Sequence, residues 1–423
     1  MTIVKDTEAL TATVVAEAQR RQEPNWLIER RAAALQEQAH AGFLRVQRFN
    51  YRDWDLFATP TLSWAEAPAD PAETGSPCFV QRGTTRLQAS LPADLRAQGV
   101  VLTDILTAAR EYPDLVRPHL MQVVRASENQ LASYHQAYLN AGLFLYVPEN
   151  VQIEDPVTVQ FIQDATTGEP LQVHVLVVAA ANSQVAVTQH LTSQGDQPAT
   201  VNQVVEVVAQ NGSQVKFASV DELGPQIQAS YQRRAAVGRN ARVDWAIGLM
   251  NQGNTVGQCD TDLIGDGAQS DAKVIAITSR QQRVGINTKV TNHGKHTTGN
   301  ILQRGVLKGQ SELIFNGIGD IIHGASGAEA EQENRILMMD PGTHGDANPI
   351  LLIDENDVLA GHAASVGQVD QQELYYLMSR GLDKPTAERL VIRGFLSAVL
   401  SAIPAVNVRQ QLAQTIERNL QND

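Results

Sequence analysis

A short β-forming unit recurs through the middle of this 423-residue chain, and its spacing limits the folds available more than any other feature. Each unit opens on a polar turn of Asn, Gly or Ser and runs on into alternating β-branched residues. The clearest copies are Asn182–Val187, Asn211–Phe217, Asn240–Trp245 and Ser270–Ile275, with Gly299–Ile301 a weaker fifth. Their first apolar residues are Val185, Val215, Val243, Val274 and Ile301, about 27 to 31 apart. That period belongs to solenoids, in which each repeat buries its apolar face only against its neighbours. No helical period interrupts the units. The reading is a mainly β fold, a right-handed parallel β-helix, with helical regions on either side. A β-sandwich is the alternative, because it too gives short strands at turn-rich spacing.

The flanks read differently. Leu10, Val14, Val15 and Ala18 mark a first amphipathic helix, and Pro24 precedes a second from Asn25 to about His40. From Tyr51 to Gly99 the pattern dissolves around Pro60, Pro68, Pro71 and Pro77, which predicts irregular chain. Thr103 is a candidate N-cap, and a helix is expected from Pro118 to about Asn140. At Gly142 the period shortens. Leu143–Pro148, Val157–Val159, Val173–Val178 and Val204–Val208 read as strands. The expected organisation is a helical region 1–142 with an irregular stretch 51–99, a β-helix core 143–366 and a helical domain 367–423.

Three helices are expected after the core. The first, Asp370–Arg380, starts D-x-x-E, carries Leu374, Leu377 and Met378 on one stripe, and stops at Gly381. The second begins near Pro385, carries Leu390, Val391, Phe395, Leu396, Val399 and Leu400, and stops at Pro404. The third places Val408, Leu412, Ile416 and Leu420 at i+4 steps. Stripes this wide suit either a cap over the open end of the solenoid or a docking face.

Composition excludes several functions. A net charge of −13 is wrong for a nucleic-acid or anionic-membrane partner. No apolar run approaches the roughly 18 residues that span a bilayer, and no signal-peptide pattern is present, so a cytoplasmic location is expected. Two cysteines, Cys78 and Cys259, exclude a disulfide framework and a four-thiolate cluster held by this chain alone. There is no G-x-x-x-x-G-K-[ST] and no G-x-S-x-G. The glycines at 265–267, 317–319 and 324–327 are instead expected at solenoid corners, where positive φ is needed.

Among candidate site residues, His362 stands out. It lies in Ala360–Asp370, among residues too small to shield it. It has two readings, a ligand for iron and a structural histidine bonded to a loop carbonyl. His293 and His296 are spaced H-x-x-H, but on extended chain that spacing puts them on opposite faces. Cys259 is read either as a soft ligand or as a small buried residue. Asp260, Asp262, Asp266 and Asp271 cluster in sequence, which leaves a carbohydrate-active β-helix enzyme, a lyase or glycosidase, as an alternative. No secretion signal or aromatic platform accompanies them.

The run His362-Ala363-Ala364-Ser365-Val366-Gly367-x-x-Asp370, followed by Tyr376-Leu377-x-Ser379-Arg380-Gly381-Leu382, resembles the C-terminal signature of the SufB/SufD family of iron–sulfur cluster assembly proteins. Glu23–Leu27 with Arg30 and Ala34 is similar to the family's SufD-type N-terminal motif. Phe315–Gly317 and Gln332–Leu337 fit its later β region. The resemblance implies a β-helix between helical ends and a non-catalytic scaffold subunit of the SUF system. The implied partners are SufB and the ATPase SufC, with a homodimer formed when SufB is absent. The SufB paralogue's role is the alternative within the family. The resemblance also implies that His362 meets iron or a transient Fe–S cluster at the SufB interface, with no cofactor held stably by this chain alone. Some family members carry a cysteine two residues before this histidine; here Ala360 stands there, so sulfur ligands must come from a partner. Tyr375, Tyr376, Leu377, Arg380 and Gly381 are the implied docking residues for SufC.

Overall fold

The computed structural model describes residues 2–60, 75–401 and 406–421. Its strands form a parallel β-solenoid of about eight turns, with helices toward both termini. Strands β1 (Cys78–Arg82), β2 (Thr85–Ser90) and β3 (Val101–Asp104) precede the parallel stack. Each coil then contributes two strands. The first four coils are β4 (Ala141–Val147) with β5 (Val157–Asp164), β6 (Leu171–Ala179) with β7 (Gln184–Gln194), β8 (Ala199–Ala209) with β9 (Gln214–Glu222), and β10 (Ile227–Val237) with β11 (Arg242–Leu249). Then come β12 (Thr255–Leu263) with β13 (Gln269–Thr278), β14 (Arg283–Asn292) with β15 (Thr298–Leu307), β16 (Glu312–Ile321) with β17 (Ala328–Met338), and β18 (His344–Ile353) with β19 (Val358–Gln368). Even-numbered strands from β4 build one sheet and odd-numbered strands from β5 the other. At the N-terminal end β3 pairs antiparallel with β4, and β1 extends the other sheet beside β5. The stretch 51–99 is therefore not simply irregular: it holds β1, β2 and a short helix. Strands this brief show no period of their own, because the neighbouring sheet supplies their partners. Pro68 and Pro71 lie outside the described residues.

The repeat has a visible physical origin at one corner. Asn150, Asn182, Gly212, Asn240, Gly267, His296 and Gly327 all have positive φ, between 52° and 73°. Members donate to the residue just before the corner of the next coil: Asn182 N–H donates to Asn211 O, Gly212 N–H to Arg239 O and His296 N–H to Ser326 O. Left-handed backbone favours Gly and Asn, which is why the recurring turn is written in those residues. Gly317 and Gly319, by contrast, lie within β16, so the expectation of a corner fails there. A Cβ on Gly317 would come within 2.6 Å of both Asn334 and Gln332. The sequence units stack in register as Val185–Val215–Val243, but the next rungs are Ser270 and Gly299, not Val274 and Ile301. Small and polar residues replace the valine there, so the apolar marker slips while the backbone register holds.

Burial on two faces explains the unbroken valine runs. β6 is buried along its whole length. Val173, Val175 and Val177 face the lumen, while Leu176 and Val178 pack under Ile105, Leu106, Val116 and Leu120. A parallel strand covered on both sides loses its alternation.

The helices are α1 (Thr2–Arg20), α2 (Asn25–Gln38), α3 (Ala93–Ala97), α4 (Ile105–Glu111), α5 (Pro113–Val116), α6 (Gln130–Tyr138), α7 (Gln371–Ser379), α8 (Lys384–Ser401) and α9 (Val406–Gln421). Thr103 belongs to β3; the cap of α4 is Asp104, whose side chain accepts from Thr107 N–H. The helix expected from Pro118 does not form until α6. The N–H groups of Met121, Val123 and Val124 donate to the Glu206 carboxylate, so they are withdrawn from any helical ladder. Asn129 then caps α6. Between α2 and β1 the chain crosses the even sheet as an arm. Leu44, Val46, Phe49, Tyr51 and Trp54 pack on Val256 and Ile314. Asn287 and Asn316 side chains donate to Arg45 O and Gln47 O.

The C-terminal helices do not cap the solenoid. Ile392, Leu396, Val399, Leu412 and Ile416 pack on the flank of the odd sheet, against Ala218, Val220, Ile275, Ile277 and Val306. Leu390 and Met378 stay exposed rather than joining the stripes expected of them. Pro404 lies outside the described residues, as do the side chains of Val408 and Leu420.

Candidate functional site

The last coil is the open one. In β17 alternate residues are buried, but β19 is exposed along almost its full length. One lumen column runs Phe217, Trp245, Ala272, Ile301, Gln332 and His362 through successive coils. Its earlier members are buried by the coil above; His362 has no coil above it. The position that would be core anywhere else in the stack is thereby exposed.

His362 borders a groove of about 430 Å³ that also takes in Asp271, Lys273, Glu331 and Glu333. Glu333 is held by Arg304 and Arg335. Burial alone would raise the Asp271 carboxyl, but Lys273, Asn300 and Arg242 together hold it below the usual carboxylate range. The His362 ring makes no hydrogen bond or ion pair with any described residue. Among the described residues no group of three or more His, Cys, Asp and Glu side chains is arranged to hold a metal ion.

The structure separates the other candidates. Cys259 is buried and its thiol is pushed up to about 12 by desolvation, with Arg233 opposing the shift. It is therefore a protonated core residue. His296 is the corner residue of its coil, whereas His293 lies 3.5 Å from Asp262 on a half-exposed surface. Asp260 and Asp262 belong to β12 and Asp271 to β13, which lie in different sheets. Asp260 pairs with Arg234, and Asp266 accepts from Lys295 N–H. These four acids therefore do not share one groove, as a pair acting in glycoside cleavage must. On α7, Tyr375 and Tyr376 are 74% and 56% exposed, and Arg380 lies 5.1 Å over the Tyr376 ring. Gly381 has the left-handed φ of 96° expected of a helix stop. Leu377 is half-buried beside Leu374 and Val391, so it is not an exposed contact.

Two clusters escaped the reading of the sequence. Inside the lumen Arg233 donates to Asp221 at 2.6 Å and to Gln203 at 3.1 Å, over the Tyr231 ring. Burial opposes the Arg233 charge, but Asp221 outweighs it and the guanidinium is held above its ordinary range. An arginine at an inward position of a strand is the only signal of this in the sequence. The second cluster joins His135, His174 and Glu206, which come from three elements far apart in the chain.

The fold is a parallel β-solenoid whose last coil leaves a lumen-column histidine exposed. Comparison with known proteins narrows the class. The family profile described as SUF system FeS cluster assembly, SufBD core domain matches residues 161–395, and the SufBD protein N-terminal region matches 78–159. The chain is 40% identical over 420 residues to the iron–sulfur cluster assembly protein SufD of Bacillus subtilis, covering 95% of this chain and 96% of that one. It is 23% identical to the SufB of the same organism, covering 96% and 92%. An iron–sulfur cluster assembly SufBD family protein of Staphylococcus epidermidis is also 23% identical, with the same coverage. The chain belongs to the SufB/SufD family of the SUF cluster assembly system and is most like SufD.

Proposed function

We propose that this chain is the non-catalytic SufD-type subunit of a cytoplasmic SUF scaffold complex, assembled with SufB and the ATPase SufC. One observation carries the reading: the last coil ends in an uncovered strand, and the lumen-column histidine on it is exposed, with no metal-binding group around it among the described residues. Iron or a nascent cluster is the cargo, held transiently. His362 supplies an imidazole and SufB supplies the thiolates, since this chain offers only a protonated buried Cys259 and the distant Cys78. Three regions divide the work. The part up to 142 covers the solenoid's first coils, the core 143–366 presents the open edge, and 367–423 receives SufC. Tyr375, Tyr376 and Arg380 on α7, with Gly381 behind them, form the contact for SufC. No described helix is long and apolar enough to cross a membrane.

The test is co-purification of the tagged chain with SufB and SufC from the same organism, comparing wild type with His362→Ala. The expected result is an intact complex in both, with iron–sulfur absorbance after anaerobic reconstitution lost in the variant. A complex that keeps its cluster without His362 removes the histidine from the site. No complex at all removes the proposed role.

A further inference from the structure

The lumen changes character at its open end. Lower in the stack, two of the columns that lead to the last coil are apolar: Ala272 and Ile301 in one, Ile247 and Val274 in the other. The first continues as Gln332, the second as Gln303 and Asn334, and all three amides are buried. Gln303 Nε2 donates to Thr288 Oγ1 at 2.9 Å, and Gln332 Nε2 donates to Ile350 O at 2.9 Å. The two Oε1 atoms, and both Oδ1 and Nδ2 of Asn334, have no hydrogen-bond partner among the described residues.

Three of these four atoms converge. Gln332 Oε1, Asn334 Oδ1 and Asn334 Nδ2 all lie within 3.0 Å of the point where a Cβ on Gly317 would stand. Over this end of the lumen the last coil places Ala347, Pro349 and Ala364, none of which has a polar side-chain atom to offer. His362 stands in register directly above Gln332, and neighbouring rungs are about 4.8 Å apart.

Folded chains rarely leave buried polar atoms unpaired; where the protein supplies no partner, water or a ligand does. The atoms on offer select the guest. They are three oxygens and one amide nitrogen, and none is charged, because Glu331 and Glu333 alternate to the outer face of β17. An anion would meet mostly oxygen lone pairs, and an apolar guest would leave every atom unpaired. Water bound to a metal ion fits, since it donates hydrogen bonds and needs acceptors.

We propose that this amide-lined end of the lumen is the outer shell of the His362 site. The imidazole bonds a divalent metal ion, and the amide oxygens of Gln332 and Asn334 accept hydrogen bonds from the water molecules that complete its coordination. The proposal rests on the reading of His362 as a ligand for iron. It accounts for how one histidine holds a metal ion with no group of three His, Cys, Asp or Glu side chains around it among the described residues. The ion keeps most of its water, and neutral acceptors grip that water. Gln332 and Asn334 are therefore positioning residues.

Calorimetric titration of the isolated full chain with Co²⁺, an air-stable substitute for Fe²⁺, tests the shell. Wild type should bind one ion per chain and His362→Ala none. Gln332→Met and Asn334→Leu, assayed separately, should each bind one ion about tenfold more weakly. Unchanged affinity in both, with binding still lost in His362→Ala, overturns the shell and leaves the histidine as ligand. Binding that survives His362→Ala, or a wild type that binds no Co²⁺, overturns the histidine's role and the shell with it. Urea unfolding without metal separates a lost shell from a damaged fold. Exchanging an unpaired buried amide for an aliphatic group should leave the midpoint unchanged or higher. A lower midpoint in both variants would assign the amides to the fold and overturn the proposal. Anomalous scattering from Co²⁺-soaked crystals is the last reading. The metal should lie on the His362 ring, with water between it and the amide oxygens of Gln332 and Asn334. A metal bonded directly to either amide, or one outside the lumen, overturns the shell.

Discussion

Asp260 is a carboxylate that the fold treats badly. It faces outward from β12 with its side chain only 13% exposed, and one of its oxygens has no hydrogen-bond partner. Burial raises it to about 6, against the pull of Arg234. Between pH 4 and 6 the unfolded chain gives up this proton while the folded chain keeps it, so the contribution to stability falls as pH rises and levels off above 6. Asp260→Asn should remove that decline. Relative to wild type, the variant should gain about 2 kcal/mol between pH 4 and pH 8, measured by urea denaturation at both; a difference independent of pH would contradict the assignment. His296 makes a second case. Its left-handed φ of 53° costs a side chain about 1 kcal/mol. His296→Gly should therefore be neutral or stabilising, and His296→Val should lower stability by more than about 1 kcal/mol. Neither should alter metal content. The H-x-x-H spacing could not reveal this, because the corner is defined by residues of neighbouring coils.

The arm 42–57 shows the same dependence among elements. It has no regular secondary structure, yet it lies along the even sheet from Val256 on β12 to Asp346 on β18. Phe49 sits against Gly285: a Cβ there would come within 2.3 Å of the ring. Arg283 lies 5.3 Å over the same ring, and Trp54 meets it edge-on. Gly285→Val should displace the ring and cost about 1–3 kcal/mol, with the arm becoming sensitive to limited proteolysis. Combined with Phe49→Ala, the cost should be clearly less than the sum, since both changes act on one contact. Additive costs would show that the arm is held elsewhere. α8 and α9 were legible as amphipathic helices from spacing alone. Their seat on the flank of the odd sheet was not, because an apolar stripe states that a face is buried but not against what.

For the molecule as a whole, the two ends of the solenoid differ. The first coils are covered by α4, α6 and the antiparallel β1–β2 and β3–β4 pairings. The last coil ends in β19, where Leu359 is 69% and Val366 40% exposed. Soluble proteins usually guard such an edge with charge or proline; from Val358 to Gln368 this one carries small and apolar residues and His362. Leu359→Lys should leave unfolding within about 0.5 kcal/mol of wild type, as exposed substitutions do. It should also reduce association with a SufB subunit or with a second copy, read by sedimentation velocity. Unchanged association would take the edge out of the interface.

The repeat length, the turn chemistry and the helical flanks lay in the sequence, because each is local: a left-handed corner selects Asn or Gly within its own coil, and a helix stripe needs only its own residues. The tertiary structure alone decided which positions share a column. Stacking turns a separation of about thirty residues into direct contact. It makes His362 the uncovered end of a buried column and makes Cys259 inert. It also brings His135, His174 and Glu206 into one line from three elements.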